Sequence, residues 1–256
     1  MMCIYTDTIN NMKIVQRNKN NTNGYFQKEN TDFGVDENGN LAQGFQFHNA
    51  LVWKDSPGTD FLNILIAPHI PLDQLMNNWY QMFYRIADYL VKTYQPKYVL
   101  ELGSGNGELC AYIRKINSDI VTVTTDANRE VVKSPYIDSN HFICRTDKTL
   151  DFVDENGKKI LFDLIISFDH FEHIHNDNVN VLMENIKDHS KIGTILIFTA
   201  SQTPYTDETY RHVHCNPQSR EYWLEWIKKY GFEEFGSNFS LNRAGSTSEI
   251  FAKRVL

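Results

Sequence analysis

The 256-residue chain has 41% hydrophobic and 13% aromatic residues, enough to bury the core of one α/β domain with an extension. A net charge of −7, from 25 Lys and Arg against 32 Asp and Glu, with no basic stripe, argues against a nucleic-acid partner. Four dispersed cysteines (Cys3, Cys110, Cys144 and Cys215) without a C-x-x-C pair exclude a disulfide framework and a zinc ribbon.

In chain order, residues Met1 to Asn21 lack the continuous apolar core of a secretory signal. No later run approaches the ~20 apolar residues of a membrane span, so a soluble, cytoplasmic protein is expected. Arg17 to Asn40, rich in Asn, Gly, Asp and Lys, reads as loop and turn, with a turn at Asp36 to Asn40. Gly44 to Trp53 and Phe61 to Ala67 read as strands or a lid, and Pro68 to Pro71 as a break. Leu75, Trp79, Met82, Phe83, Ile86, Tyr89 and Leu90 recur at helical spacing, predicting a helix over Leu72 to Tyr94 between Pro71 and Pro96. Residues 1–70 are thereby set apart as an N-terminal extension, and 71–256 as the main domain.

Tyr98 to Leu102 is an apolar, β-prone run that ends in a glycine-rich turn, Gly103-Ser104-Gly105-Asn106-Gly107. Glycine lets a backbone take positive φ and approach a ligand closely, and ligands of open α/β sheets bind outside the carboxyl ends of strands. Ile120 to Asp126 is a second strand ending in an acid, about twenty residues on, where a carboxylate can accept bonds from ribose hydroxyls. Asp126 can alternatively cap the next helix. Further strands are predicted at His141 to Cys144, Phe162 to Phe168 and Gly193 to Thr199, with a helix from Asn178 to His189. Ser219 is a helix N-cap, Gly231 stops that helix, and Phe232 to Phe239 and Ser248 to Val255 form a closing antiparallel hairpin.

A dinucleotide fold needs G-x-G-x-x-G. Here the third glycine comes one residue early, at Gly107, and Glu108 stands where glycine is required. The pattern Glu101-x-Gly103-x-Gly105-x-Gly107 instead resembles motif I of the class I S-adenosylmethionine-dependent methyltransferases. Phe162-Asp163-Leu164-Ile165, followed by Asp169-x-x-Glu172-His173-Ile174, resembles that family's fourth-strand segment. The resemblance implies a Rossmann-like α/β fold with a seven-stranded, mostly parallel sheet and an antiparallel last strand. It implies S-adenosylmethionine as cofactor, held by Glu101, Gly103, Ser104, Gly105, Gly107, Asp126 and Phe168, with Asp147 toward the adenine amino group. It also makes residues 1–70 a candidate substrate cap.

A hydroxyl acceptor must lose a proton, for which histidine is the ordinary base. His170, His173 and His175 follow the fourth strand, and His212 and His214, alternate residues, follow the fifth. Asp169, His170, His212 and His214 are the catalytic candidates; His173 reads as an anchor of the turn. Arg211 and Arg220 could clamp an anionic acceptor. His170-x-x-His173-x-His175 with Asp169 has ligand chemistry suited to zinc rather than magnesium. Methyl transfer does not require a metal, and none is expected. The stretch from Val213 to Trp223 resembles methyltransferases of bacterial surface-polysaccharide clusters, implying a saccharide or nucleotide-linked acceptor. The rival readings are an RNA or protein methyltransferase, including a viral one, and a cofactor-binding module without turnover.

Overall fold

The computed structural model describes residues 13–16, 25–26, 72–105, 107–127, 136, 138, 140–154, 156–203, 214–237, 239 and 249–256. Most of the N-terminal extension therefore lies outside the described residues, including the expected turn at Asp36 to Asn40 and the stretches Gly44 to Trp53 and Phe61 to Ala67.

Helix α1 (Leu72–Tyr94) is followed by β3 (Tyr98–Leu102), α2 (Glu108–Ile116), β4 (Val121–Asp126) and β5 (His141–Ile143). Then come β6 (Leu150–Val153), β7 (Phe162–Ser167), α3 (Val179–Asp188), β8 (Ser190–Phe198), α4 (Arg220–Lys229), β9 (Phe232–Glu234) and β10 (Ile250–Arg254). Two strands, β1 (Lys13–Gln16) and β2 (Tyr25–Phe26), precede α1. The boundaries follow local chemistry. Pro96 stands just beyond α1, and Gln95 leaves the helix at φ +46°. Ser219 accepts a bond from the Tyr222 amide at the start of α4, and Gly231 leaves its end at φ +79°.

One seven-stranded sheet has the order β5-β4-β3-β7-β8-β10-β9. Strands β5, β4, β3, β7 and β8 pair parallel, and β10 runs antiparallel to both of its neighbours. The chain builds outward from β3 to β4 and β5, then returns to add β7 and β8 on the other side. The order thus reverses between β3 and β7, and the crevice outside their carboxyl ends is where open α/β sheets take ligands.

Both faces of the sheet are covered, so each parallel strand alternates between two cores. Leu100, Leu102, Ile165, Leu196 and Phe198 face α3 and α4, whose Leu182, Met183, Ile186, Trp223 and Ile227 are buried against them. Val99, Leu164, Ile166 and Ile197 face α1 and α2 through Ile86, Ala87, Leu90, Leu109 and Ile113. Burying such a side chain contributes roughly 1.5–3 kcal/mol.

A second, three-stranded sheet departs from the loop reading of residues 17–40. Strand β1 pairs antiparallel with β2 through Ile14 and Val15, and with β6 over Leu150–Val153. Tyr25–Phe26 is therefore strand, paired with β1, which is in turn held on its other edge by the distant β6. Strand β6 folds back through a turn in which the Asp154 carboxylate accepts from the Asn156 and Lys158 amides. Among the described residues, no helix is long and apolar enough to cross a membrane.

Candidate active site

The loop after β3 is pinned to the end of β4. The Ser104 amide donates to the Thr125 carbonyl (2.9 Å), and the Gly105 amide to Asp126 Oδ2 (2.9 Å). Gly103, Gly105 and Gly107 all have positive φ, at +67°, +52° and +80°. Two of them differ in what a side chain would meet. A Cβ on Gly103 would lie 2.5 Å from His170 Cγ, whereas one on Gly105 would meet no atom of the described residues beyond its chain neighbours within 4 Å. Gly103 is thus required by the protein's own packing, while Gly105 borders open space. Ser104 is buried, and its Oγ has no hydrogen-bond partner among the described residues.

The segment after β7 forms the opposite wall. Asp169 takes φ +50°, a conformation costing a non-glycine residue on the order of 1 kcal/mol. It is held there by Thr199 at the end of β8, whose Oγ1 accepts from the Asp169 amide and donates to Asp169 Oδ1, both at 2.9 Å. The His170 ring lies against Gly103, and its Nε2 is 2.7 Å from Thr146 Oγ1. Phe171–His173 is a single 3-10 turn, with Phe171 stacked on Phe198 and buried against Trp223.

The chain returns to this wall after residue 203. The Asn216 amide and Cys215 Sγ both donate to the Glu172 carbonyl, at 2.9 and 3.8 Å. These bonds bring the His214 ring to 5.1 Å from the His173 ring, edge to face. His214 Nδ1 donates to the Thr203 carbonyl at 3.1 Å, which leaves Nε2 with its lone pair. Burial pushes the His214 imidazole below its ordinary range, against opposing influences from the Thr203 carbonyl and the Asp169 charge. One ligand atom each from Glu172, His173 and His214 lies within 4.8 Å of the others.

This arrangement sets a glycine loop and a strand-end carboxylate on one side of the crevice, with histidines and acids on the other. The methyltransferase-domain profile matches residues 78–234, from α1 to the end of β9. The chain belongs to the methyltransferase-domain family. No curated protein matches its sequence. Its fold is similar to that of a S-adenosylmethionine-dependent methyltransferase from Clostridium acetobutylicum, at 13% identity and TM-score 0.53, over 77% of this chain and 97% of that one. It is also similar to 1,6-didemethyltoxoflavin-N1-methyltransferase from Burkholderia thailandensis, at 15% identity and TM-score 0.50, covering 68% and 79%. Haemophilus influenzae TehB matches at 14% identity and TM-score 0.50, over 66% of this chain; the methyltransferase described here spans 62% of TehB.

The cofactor of this methyltransferase is S-adenosylmethionine, and three features of the crevice fit it: the open space at Gly105, the buried Ser104 hydroxyl and the Asp126 carboxylate beside them. Asp126 closes the loop through Gly105, and the stretch that it could cap, residues 128–135, lies outside the described residues. Glu101 faces α2 and hydrogen-bonds Cys110, and burial pushes its carboxyl up to about 8. Asp147 is paired with Arg145 (2.8 and 2.5 Å) and accepts from Asn178 Nδ2 (3.1 Å). Buried Asn185 holds the preceding turn by donating to the Thr146 and Lys148 carbonyls. Phe168 packs with the core on the α1 side of the sheet.

The histidines regroup relative to their order in sequence. His170 turns to Gly103 and Thr146, while His175 is exposed and accepts from the Asp177 amide. His170, His173 and His175 therefore do not converge; His173 meets His214 instead. His212 and Arg211 lie outside the described residues, and Arg220 pairs with Glu234. Thr199, Thr146 and Thr203 were not singled out from sequence. Thr199 ends a predicted strand, a position where side chains reach the crevice, and that placement was the signal available for it.

Proposed function

We propose that the protein transfers the methyl group of S-adenosylmethionine to an oxygen of a small polar acceptor. The observation that carries this reading is the crevice itself, open at Gly105 on one wall and lined by Asp169, His173 and His214 on the other. Bound S-adenosylmethionine supplies an electrophilic methyl on a sulfonium, so the chain's residues have to position the acceptor and manage its proton. Ser104, the glycine loop and Asp126 hold the nucleoside, with Asp147 toward the adenine. Asp169 is fixed by Thr199 at the acceptor side, where its charge acts on the His214 ring.

A small acceptor is favoured by the acidic chain, which lacks a phosphate-binding stripe. The similarly folded Burkholderia enzyme holds the small molecule 1,6-didemethyltoxoflavin together with S-adenosylhomocysteine. Within that class a saccharide or nucleotide-linked sugar is the acceptor we favour. Its support is the likeness of Val213 to Trp223 to methyltransferases of surface-polysaccharide clusters, a stretch whose Cys215 and Asn216 are bonded to the wall of the crevice. Residues 1–70 are proposed as the cap over the acceptor.

The test is transfer of labelled methyl from S-adenosylmethionine to separate pools of sugars, sugar nucleotides, RNA and protein. Label in an alkali-stable O-methyl ether of a small acceptor is the expected result. Label confined to RNA or protein would overturn the acceptor class, and S-adenosylhomocysteine binding without transfer to any pool would favour a non-catalytic module.

A further inference from the structure

We propose that Glu172, His173 and His214 form a site for one divalent first-row transition-metal ion, zinc being the type case, at the acceptor side of the crevice. Three potential ligand atoms, one from each residue, already lie within 4.8 Å of one another. One carboxylate and two imidazoles form the donor set of open catalytic zinc sites, which leave a position for water or substrate. Two nitrogen donors select against magnesium and calcium, which take oxygen ligands.

The fold builds this convergence from segments far apart in sequence. Glu172 and His173 sit on a 3-10 turn anchored by buried Phe171, and His214 is delivered by the two bonds that Cys215 and Asn216 make to the Glu172 carbonyl. The orientation of His214 is a further observation. Its Nδ1 proton is committed to the Thr203 carbonyl, which selects the tautomer with an unprotonated Nε2; metal-binding histidines are characteristically oriented by this kind of second bond. Glu172 is 1% exposed and the two histidines are half-buried, so the site is fixed on the protein side and accessible from the crevice.

The role of the ion rests on the O-methyltransferase reading. An acceptor hydroxyl in the open position would be oriented by the cation and made more acidic, its proton leaving to solvent. His214 then serves as a ligand, and no separate histidine base is required.

Zn2+ is titrated into the chelator-treated full chain by calorimetry, and Co2+ is titrated while visible absorption is recorded. One Zn2+ per chain is expected, with Co2+ bands typical of nitrogen and oxygen ligands. His173→Ala and His214→Ala are each expected to weaken binding about 100-fold or more, given that losing even an outer-shell partner costs about 10–100-fold. These half-buried positions are preferred to Glu172, whose replacement could unfold the wall. His175→Ala, at an exposed residue outside the cluster, is expected to leave affinity unchanged. No stoichiometric Zn2+ binding, or an affinity in both cluster variants equal to that of the unsubstituted chain, would overturn the site. S-adenosylhomocysteine binding, measured on the same samples, separates the two readings. Zn2+ bound without transfer to any acceptor supports the site and counts against the acceptor. Transfer by metal-free protein at an undiminished rate overturns the site's role.

Discussion

Two glycines two positions apart make different demands on the same loop. Gly103 cannot accept a Cβ because the His170 ring occupies that space, whereas a Cβ on Gly105 would meet no atom of the described residues beyond its chain neighbours within 4 Å. Gly105→Val is therefore expected to fold, with a destabilisation limited to about 1–3 kcal/mol of backbone strain, yet to lose S-adenosylhomocysteine binding in calorimetry. Gly103→Ala is expected to lose more stability than that strain alone and to displace His170 from Thr146, visible as a changed histidine resonance. Asp126→Ala removes the acceptor of the Gly105 amide together with a ribose ligand, and is expected to weaken S-adenosylhomocysteine binding by about 1–3 kcal/mol. An unchanged dissociation constant would reduce Asp126 to a brace for the loop. The glycine turn was legible in sequence because glycine spacing reports backbone conformation directly, and Gly103, Gly105 and Gly107 all take positive φ. The meeting of His173 with His214 was not, because it is made by two bonds to the Glu172 carbonyl, and a carbonyl has no residue type.

Among the elements, the parallel strands and helices were legible where burial on both sides leaves an unbroken apolar run or a clean helical stripe. Strand β3 starts and ends where its run of apolar residues does, and α1 stops before Pro96. Helix α4 was readable from its ends, and its cap offers a direct check. Ser219→Ala is expected to cost about 1 kcal/mol, measured as a lower urea midpoint with an unchanged slope. The small sheet was not legible. Strand β6 is short and follows a polar turn, and its partner β1 comes from the far end of the sequence. His189 shows why it holds together: buried, it donates from Nδ1 to the Ile160 carbonyl and accepts at Nε2 from the Phe152 amide, tying α3 to the β6 turn. No periodicity announces a pairing of that kind.

Across the whole molecule, the reversal of strand order between β3 and β7 determines which loops can share a site. It also places Glu101, on the face of β3 opposite Leu100 and Leu102, inside the core against Cys110. Burial raises its carboxyl to about 8, so the folded chain keeps a proton that the unfolded chain releases near 4.5. The resulting stability is complete below about pH 4.5 and is lost as pH rises through about 8. Denaturant titrations of the cofactor-free protein at pH 5, 7 and 9 are expected to show this decline. Glu101→Gln, which cannot release a proton, is expected to flatten it. Parallel curves for the two proteins would place the titrating group elsewhere.

The Thr203 carbonyl and the His214 ring are joined by a hydrogen bond, and the next two residues, Cys215 and Asn216, are both bonded to the Glu172 carbonyl. Three bonds thus clasp points that are 11 residues apart in sequence. All three end on backbone carbonyls, so the residues that present those carbonyls can be substituted while the histidine keeps its place.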